Sequence, residues 1–159
     1  MTEAVVPMSR GSLFPLSWLI AAIVIVGLGA LPAAATQAVA SYEFQDTYYV
    51  VTHWHFVLPL AAIFPLMAGI YLAFDRARFR YRRALAWWHF GLTSLGACLV
   101  LAPAVFLVIG GMPQRFLEPE GLFATLNRIS AVGYGMMLIG TGTFALLVVD
   151  ALIRRGARE

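Results

Sequence analysis

The sequence predicts an all-α membrane protein with four transmembrane helices, and three observations lead to that fold class. Of its 159 residues, 61% are hydrophobic and only 12% are charged, whereas a soluble domain carries about 25% charged residues. Four apolar stretches are each long enough to cross a bilayer, which takes about 20 residues in an α-helix. The connections between them are short, so residues 1–159 are expected to form a single membrane domain.

The predicted spans cover about residues 13–40, 48–74, 84–111 and 123–153. The first span has an alternative interpretation as a signal peptide, because Arg10 precedes an apolar run that ends in small residues between Ala33 and Ala38. Retention is preferred, since the run is long for a signal sequence and a proline inside a spanning helix is tolerated. Cleavage would leave three spans without inverting the others.

The arginines predict the orientation in the membrane. All 11 basic residues are arginines, five of them in the loop DRARFRYRR at residues 75–83 and three in the C-terminal tail. The loop SYEFQDT at residues 41–47 contains none. By the positive-inside rule, both termini and the arginine-rich loop are cytoplasmic, and the two acidic loops face outside. Arginines in this arrangement are topology signals, so no nucleic-acid partner is expected.

The sequence also excludes several classes of site. It contains no glycine-rich phosphate loop, no paired-cysteine zinc spacing and no serine–histidine–aspartate pattern. The single cysteine, Cys98, cannot form an intramolecular disulfide. The chemistry must therefore come from residues within the apolar spans or at their ends.

Two histidines stand inside the second span, in QDTYYVVTHWHFVLPL at residues 45–60. Successive helical residues advance by about 100°, so His53 and His55 lie about 200° apart and cannot chelate one metal. Ionisable residues inside a bilayer are functional by default, and a neutral imidazole offers a nitrogen lone pair to haem iron in a water-poor slot. The pattern indicates two separate sites, one on each flank of the helix. The alternative is a histidine that only hydrogen-bonds a neighbouring helix.

The stretch DTYYVVTHWHFVL at residues 46–58 resembles the signature of subunit I of the haem-copper oxidases, the cytochrome c oxidase family. The resemblance implies that His53 is the proximal ligand of the high-spin, oxygen-binding haem and that His55 is one axial ligand of the low-spin haem. Trp54 stands between them, where the family usually has phenylalanine. The resemblance also implies a magnesium ligand at Asp46, although Gln45 replaces the family's preceding histidine.

The resemblance continues through two further stretches. WHFGLTSLGACLVLAPAVFLVIGGMPQRF at residues 88–116 is similar to the family's next helix and outer loop, and NRISAVGYGMMLIGTGTF at residues 127–144 is similar to its last helix. The family motif GMPRR supplies two arginines to haem propionates. Here the motif reads GMPQR, so Gln114 departs from it and Arg115 is the implied propionate partner, through a charge-assisted pair.

Only the last helices of the family protein are represented in the resemblance. The family's copper-binding histidines, the tyrosine crosslinked to one of them and the second axial histidine of the low-spin haem lie on earlier helices. Copper is therefore not expected, and the chain alone is not expected to reduce oxygen. The remaining histidine, His89, lies at the cytoplasmic start of the third span, far from His53, and is predicted to be a hydrogen-bonded helix-end residue.

Three functional interpretations remain open. The preferred one is a haem-binding module of a respiratory chain in a bacterial inner membrane, with its haem-ligand end toward the outer side. It would transfer electrons from a donor cytochrome and be completed by a second copy, as a homodimer, or by another membrane subunit. The second is the C-terminal piece of a split terminal oxidase. The third is a haem-free accessory or assembly subunit, which the departures at Gln45 and Gln114 favour.

Overall fold

The structure is a computed structural model that describes residues 13–39, 48–77, 79–109 and 121–156. The side chains at several helix ends, residues 31–39, 48–56, 107–109, 122–123 and 155–156, and that of residue 104, lie outside the described part. Within the described ranges the chain forms four α-helices and no strand. They are α1 (Phe14–Val39), α2 (Tyr48–Arg76), α3 (Arg83–Ile109) and α4 (Leu122–Gly156). The predicted all-α fold and its four helices are confirmed.

Three of the four described helices have the length and composition of membrane spans. Val57–Arg76, Arg83–Pro103 and Ala124–Arg154 are each long and apolar enough to cross a bilayer, and the shorter apolar stretch Phe14–Ala30 belongs to α1. Large apolar side chains, such as Ile23 at 73% and Leu138 at 74% exposure, lie on the outside of the protein. Such a surface suits lipid rather than water. Which side of the membrane each terminus occupies stays a prediction.

The most extensive packing between the described helices involves three helix pairs. Helix α1 packs against α2 on one side and α3 on the other, and α3 packs most extensively against α4. Neighbours along the chain run antiparallel, since Phe14 contacts Tyr71 near the start of α1 while Gly29 approaches Val57 further along it. Near Tyr71, α2 also reaches α3 and α4, because the Tyr71 hydroxyl is hydrogen-bonded to His89 and its ring lies 6.1 Å from that of Phe144.

Glycines allow the closest helix contact, between α3 and α4. A methyl group added to Gly96 would lie 2.7 Å from the carbonyl oxygen of Gly133, and one added to Gly133 would lie 2.6 Å from that of Gly96. Small residues let two helix backbones approach in this way, which is how membrane helices associate without a hydrophobic driving force. Further along the same interface, a methyl group added to Gly140 would lie 2.8 Å from the Thr93 hydroxyl oxygen.

The connection between α2 and α3 is held by two aromatic side chains. Phe79 stacks on Phe74 with ring centroids 5.3 Å apart, and its backbone N–H donates to the Phe74 carbonyl at 2.9 Å. Tyr81 is buried at 7% exposure, whereas Arg80 and Arg82 beside it are exposed. In extended chain, successive side chains point to opposite sides, so the aromatic residues anchor the segment and the arginines reach outward.

Candidate functional site

The predicted ligand positions belong to one continuous helix. Residues 53 to 55 fall inside α2, so the helical backbone places His53 and His55 about 200° apart around its axis. The side chains of His53, Trp54 and His55 lie outside the described residues, as do Asp46 and Arg115 entirely. Their roles as ligands stay predictions.

The two histidine positions continue into different rows of α2. Four, seven and eleven residues beyond position 53 come Val57, Leu60 and Phe64, which share one helix face and are buried at 1%, 8% and 0% exposure. Three and eleven residues beyond position 55 come Leu58 and Leu66, each 59% exposed. By helix periodicity, position 53 is in line with the buried row and position 55 is in line with the row that is exposed among the described residues.

At the opposite end of the interior row lies a buried hydrogen-bonded pair. The Tyr71 hydroxyl and the Nδ1 atom of His89 are 2.9 Å apart, and the two residues are 0% and 3% exposed. The prediction that His89 is a hydrogen-bonded histidine is confirmed. Its partner, Tyr71, was not predicted, although a tyrosine in the middle of the apolar run AGIYLAF is a polar group that must find a partner in a bilayer.

Aromatic rings from the four described helices enclose this pair. The His89 ring lies 4.8 Å from that of Trp18 on α1 and 4.9 Å from that of Phe144 on α4, centroid to centroid. Phe14 meets the Tyr71 ring edge-on at 4.8 Å. We call Phe14, Trp18, Tyr71, His89 and Phe144 the aromatic cluster. It fixes the relative positions of the helices at the end where α1 begins and α2 ends.

The aromatic cluster cannot belong to the predicted haem-ligand site of the same chain. Eighteen residues of continuous helix separate position 53 from Tyr71, which corresponds to about 27 Å at 1.5 Å per residue. The hydrogen bond to Tyr71 keeps His89 at that distant end. Among the described residues, no group of three or more histidine, cysteine or acidic side chains is placed to hold a metal ion.

Charged residues gather at the same end of the helices as the aromatic cluster. The Asp150 carboxylate accepts a hydrogen bond from Arg154 at 2.9 Å and lies 3.7 Å from the Arg82 guanidinium. Burial of the Tyr81 phenol, together with the nearby carboxylate of Asp75 to which it hydrogen-bonds, raises the pKa of Tyr81 well above its ordinary value. The basic loop therefore contacts α4 through the ion pair of Arg82 with Asp150 and packs on α2 through Phe79 and Tyr81.

Known proteins match most of this chain. The family described as cytochrome c and quinol oxidase polypeptide I matches residues 6–139. The chain is 33% identical over 146 residues to cytochrome c oxidase subunit 1 of Cereibacter sphaeroides, which covers 91% of this chain and 26% of that protein. It is 36% identical over 111 residues to cytochrome c oxidase subunit 1 of Eremothecium gossypii, covering 69% and 21%.

These matches confirm the resemblance carried by the second, third and fourth helices. The chain spans about a quarter of the length of the curated relatives it matches. The match begins before α1 and ends within α4, so it includes the helix that carries His53 and His55 as well as the helices packed beside it. The chain belongs to the cytochrome c and quinol oxidase polypeptide I family.

Proposed function

We propose that this chain is a haem-binding membrane module that transfers electrons in a respiratory chain, holding haem iron through His53 and His55. The observation that carries the proposal is the position of both histidines on one continuous membrane helix, in line with a buried row and an exposed row. A helix of this kind can serve one haem on each flank, as the resemblance to subunit I implies.

The exposed row favours a partner chain at His55. A six-coordinate haem needs a second axial ligand, and the family's second axial histidine lies on an earlier helix. Because Leu58 and Leu66 follow position 55 on a surface that the described residues leave exposed, we propose that a second copy or another membrane subunit approaches there. Its histidine would complete the coordination of the low-spin haem.

The residue types opposite position 53 support a haem on the interior side of α2, beyond the contact between Gly29 and Val57. The two helices run antiparallel, so residues near position 33 of α1 lie opposite position 53 of α2, four residues beyond each member of that contact. The sequence there is Ala33-Ala34-Ala35, and alanine leaves space that larger residues would fill. The residue types therefore fit a flat apolar group beside His53.

The other predicted residues have distinct roles in this proposal. Haem, when bound, supplies an iron that accepts and donates single electrons. His53 and His55 would each hold the iron of a separate haem, Trp54 lies between them in the sequence, and Arg115 would pair with a propionate. Asp46 is a magnesium ligand at the outer end, next to Gln45. The chain supplies no copper ligands of the family type, so oxygen reduction is proposed only for an assembly that contains them.

Spectroscopy of the purified protein tests the proposal. We expect a Soret band and a pyridine haemochrome, with His55→Ala removing the low-spin signal and His53→Ala removing the high-spin signal. His89→Gln serves as the control, since His89 is hydrogen-bonded to Tyr71, which lies about 27 Å along α2 from position 53, and it should retain both signals. A protein without a Soret band before and after haem is added would instead be the haem-free accessory subunit.

A split oxidase, in which this chain and a separate polypeptide together form subunit I, is the second candidate. The chain spans 26% and 21% of the two relatives, so a separate polypeptide could supply the earlier helices with their copper and haem ligands. Mild purification followed by mass spectrometry and metal analysis distinguishes the candidates. A co-purifying polypeptide with those helices, together with copper, indicates a split oxidase, whereas haem without copper in a homodimer indicates the module.

A further inference from the structure

A groove between α1 and α3 opens on the surface that faces lipid. Its volume is about 290 Å³ and its exposed surface is apolar. Side chains along it include Ser17, Ala21 and Val24 of α1 and Phe90, Ser94 and Cys98 of α3. From Phe90 to Cys98 the helix advances about 12 Å. The groove is thus an elongated apolar slot that runs along the helices rather than across them.

The α3 face that lines this groove begins with a cation. Arg83, Trp87, Phe90, Ser94 and Cys98 are spaced by four, three, four and four residues, which places them along one side of a helix. Arg83 is exposed at the first residue of α3, and Trp87 is 45% exposed. A positive charge, an amphipathic ring and an apolar slot therefore follow one another down a single helix face.

The spacing of these features suits a phospholipid. Seven residues, or about 10 Å, separate Arg83 from Phe90, which leaves the level of Trp87 for the ester groups between a phosphate and an acyl chain. Tryptophan is enriched at this depth of the membrane because its ring is amphipathic. The phosphate would meet Arg83, and one acyl chain would lie in the groove.

The charge around Arg83 favours an anionic headgroup. Arg80 is also exposed, in the segment that Phe79 and Tyr81 hold in place by packing on α2. Asp150 already binds Arg82 and Arg154, and Asp75 hydrogen-bonds Tyr81. The packing of Phe79 and Tyr81 fixes the backbone that carries Arg80. Little further backbone freedom is therefore lost when its guanidinium binds a phosphate.

From the groove and the charge together, we propose that the cleft between α1 and α3 is a binding site for one anionic phospholipid, with its phosphate at Arg83 and an acyl chain between Ala21 and Ser94. The site is independent of the proposed haem ligands, which belong to α2. It assigns a role to the α3 face that points away from the glycine contact with α4.

Native mass spectrometry of the delipidated full-length protein tests whether the site prefers an anionic headgroup. Phosphatidylglycerol and phosphatidylcholine with identical acyl chains are titrated in separate experiments, and we expect phosphatidylglycerol to bind more tightly. Arg83→Gln should weaken phosphatidylglycerol binding about fivefold, the effect expected for one basic residue at a membrane surface. Arg76→Gln is the matched control, because Arg76 is an exposed arginine at the end of α2, away from the groove. Equal weakening by both variants, or equal binding of both lipids, would overturn the proposal.

A second pair of variants tests the groove without disturbing the core. Val24 lines the groove and is 50% exposed, whereas Ile23 beside it is 73% exposed and is not part of the lining. We expect Val24→Trp to fill the groove and displace the lipid, and Ile23→Trp to leave binding unchanged. Retention of phosphatidylglycerol by Val24→Trp at the wild-type level contradicts an acyl chain in the groove.

The occupant must also be distinguished from a second copy of the chain. Cys98 lines the groove and is the only cysteine in the sequence, so it reports on a neighbouring chain through oxidative crosslinking. We expect no Cys98–Cys98 dimer in bilayers that contain phosphatidylglycerol. A crosslinked dimer at the same yield with and without this lipid would assign the groove to a second copy and overturn the proposal.

Discussion

The Tyr71 hydroxyl and the His89 Nδ1 atom lie 2.9 Å apart in the interior of the protein, joining α2 to α3 across 18 residues of sequence. Each group is a polar atom enclosed by apolar and aromatic side chains, with Trp18 and Phe144 on the two sides of His89. A buried polar group without a partner is costly in such surroundings. This hydrogen bond therefore fixes the position of α2, the helix that carries His53 and His55, relative to α3 at the end of α2 distant from those histidines.

Replacing Tyr71 by phenylalanine tests this hydrogen bond. The change keeps the ring and removes only the hydroxyl, so His89 loses its partner while the aromatic packing remains. We expect the free energy of unfolding to fall by about 1–3 kcal/mol, the cost of leaving a buried polar group unsatisfied. Thermal or denaturant unfolding of the protein in detergent measures the effect. Tyr134→Phe on the exposed surface of α4 is the control and should change stability by less than about 0.5 kcal/mol.

Substituting Gly96 by alanine tests the contact between α3 and α4. The added methyl group would lie 2.7 Å from the Gly133 carbonyl oxygen, so the helices must separate. We expect a loss of about 1–3 kcal/mol, as for other overpacked interiors. Gly135→Ala adds a methyl group that meets nothing within 4 Å, and it should leave stability unchanged or raise it, because alanine favours the helix. A Gly96→Ala protein as stable as Gly135→Ala would show that this interface is not closely packed in the membrane.

Features of the fold and the site that depend on a single helix could be predicted from the sequence, whereas contacts between helices could not. The angle between His53 and His55 follows from helix geometry alone, and the span boundaries follow from apolar length, so both were predicted. The pairing of Tyr71 with His89 was not, because it depends on how α2, α3 and the loop between them are arranged in space. Gly135 shows the same limit. Gly133 and Gly135 have similar neighbours in the sequence. Which of them faces α3 depends on how α4 is rotated about its axis, and the structure shows that Gly133 does.

The predicted orientation in the membrane can be tested at the basic loop. Arg80 is exposed beside the buried Tyr81, so Arg80→Cys, introduced together with Cys98→Ser, presents one accessible thiol. The excess of arginines in this loop predicts a cytoplasmic position. We expect an impermeant maleimide to label inside-out vesicles and to leave intact right-side-out cells unlabelled. Labelling of intact cells would invert the assigned topology and place the predicted ligand end of α2 on the cytoplasmic side.

The buried phenol of Tyr81 predicts how stability depends on pH. Burial and the neighbouring Asp75 carboxylate raise its pKa in the folded protein, whereas in the unfolded chain it has the ordinary value of about 10. The folded state therefore retains the proton that the unfolded state loses. This contribution is fully present below about pH 10 and decreases as the pH rises above that value. Unfolding measured between about pH 8 and 11 should show this decrease, and Tyr81→Phe, which cannot ionise, should show a smaller one. Identical slopes for the wild type and Tyr81→Phe would mean that the Tyr81 phenol, near the end of the basic loop, is open to water in the bilayer-embedded protein.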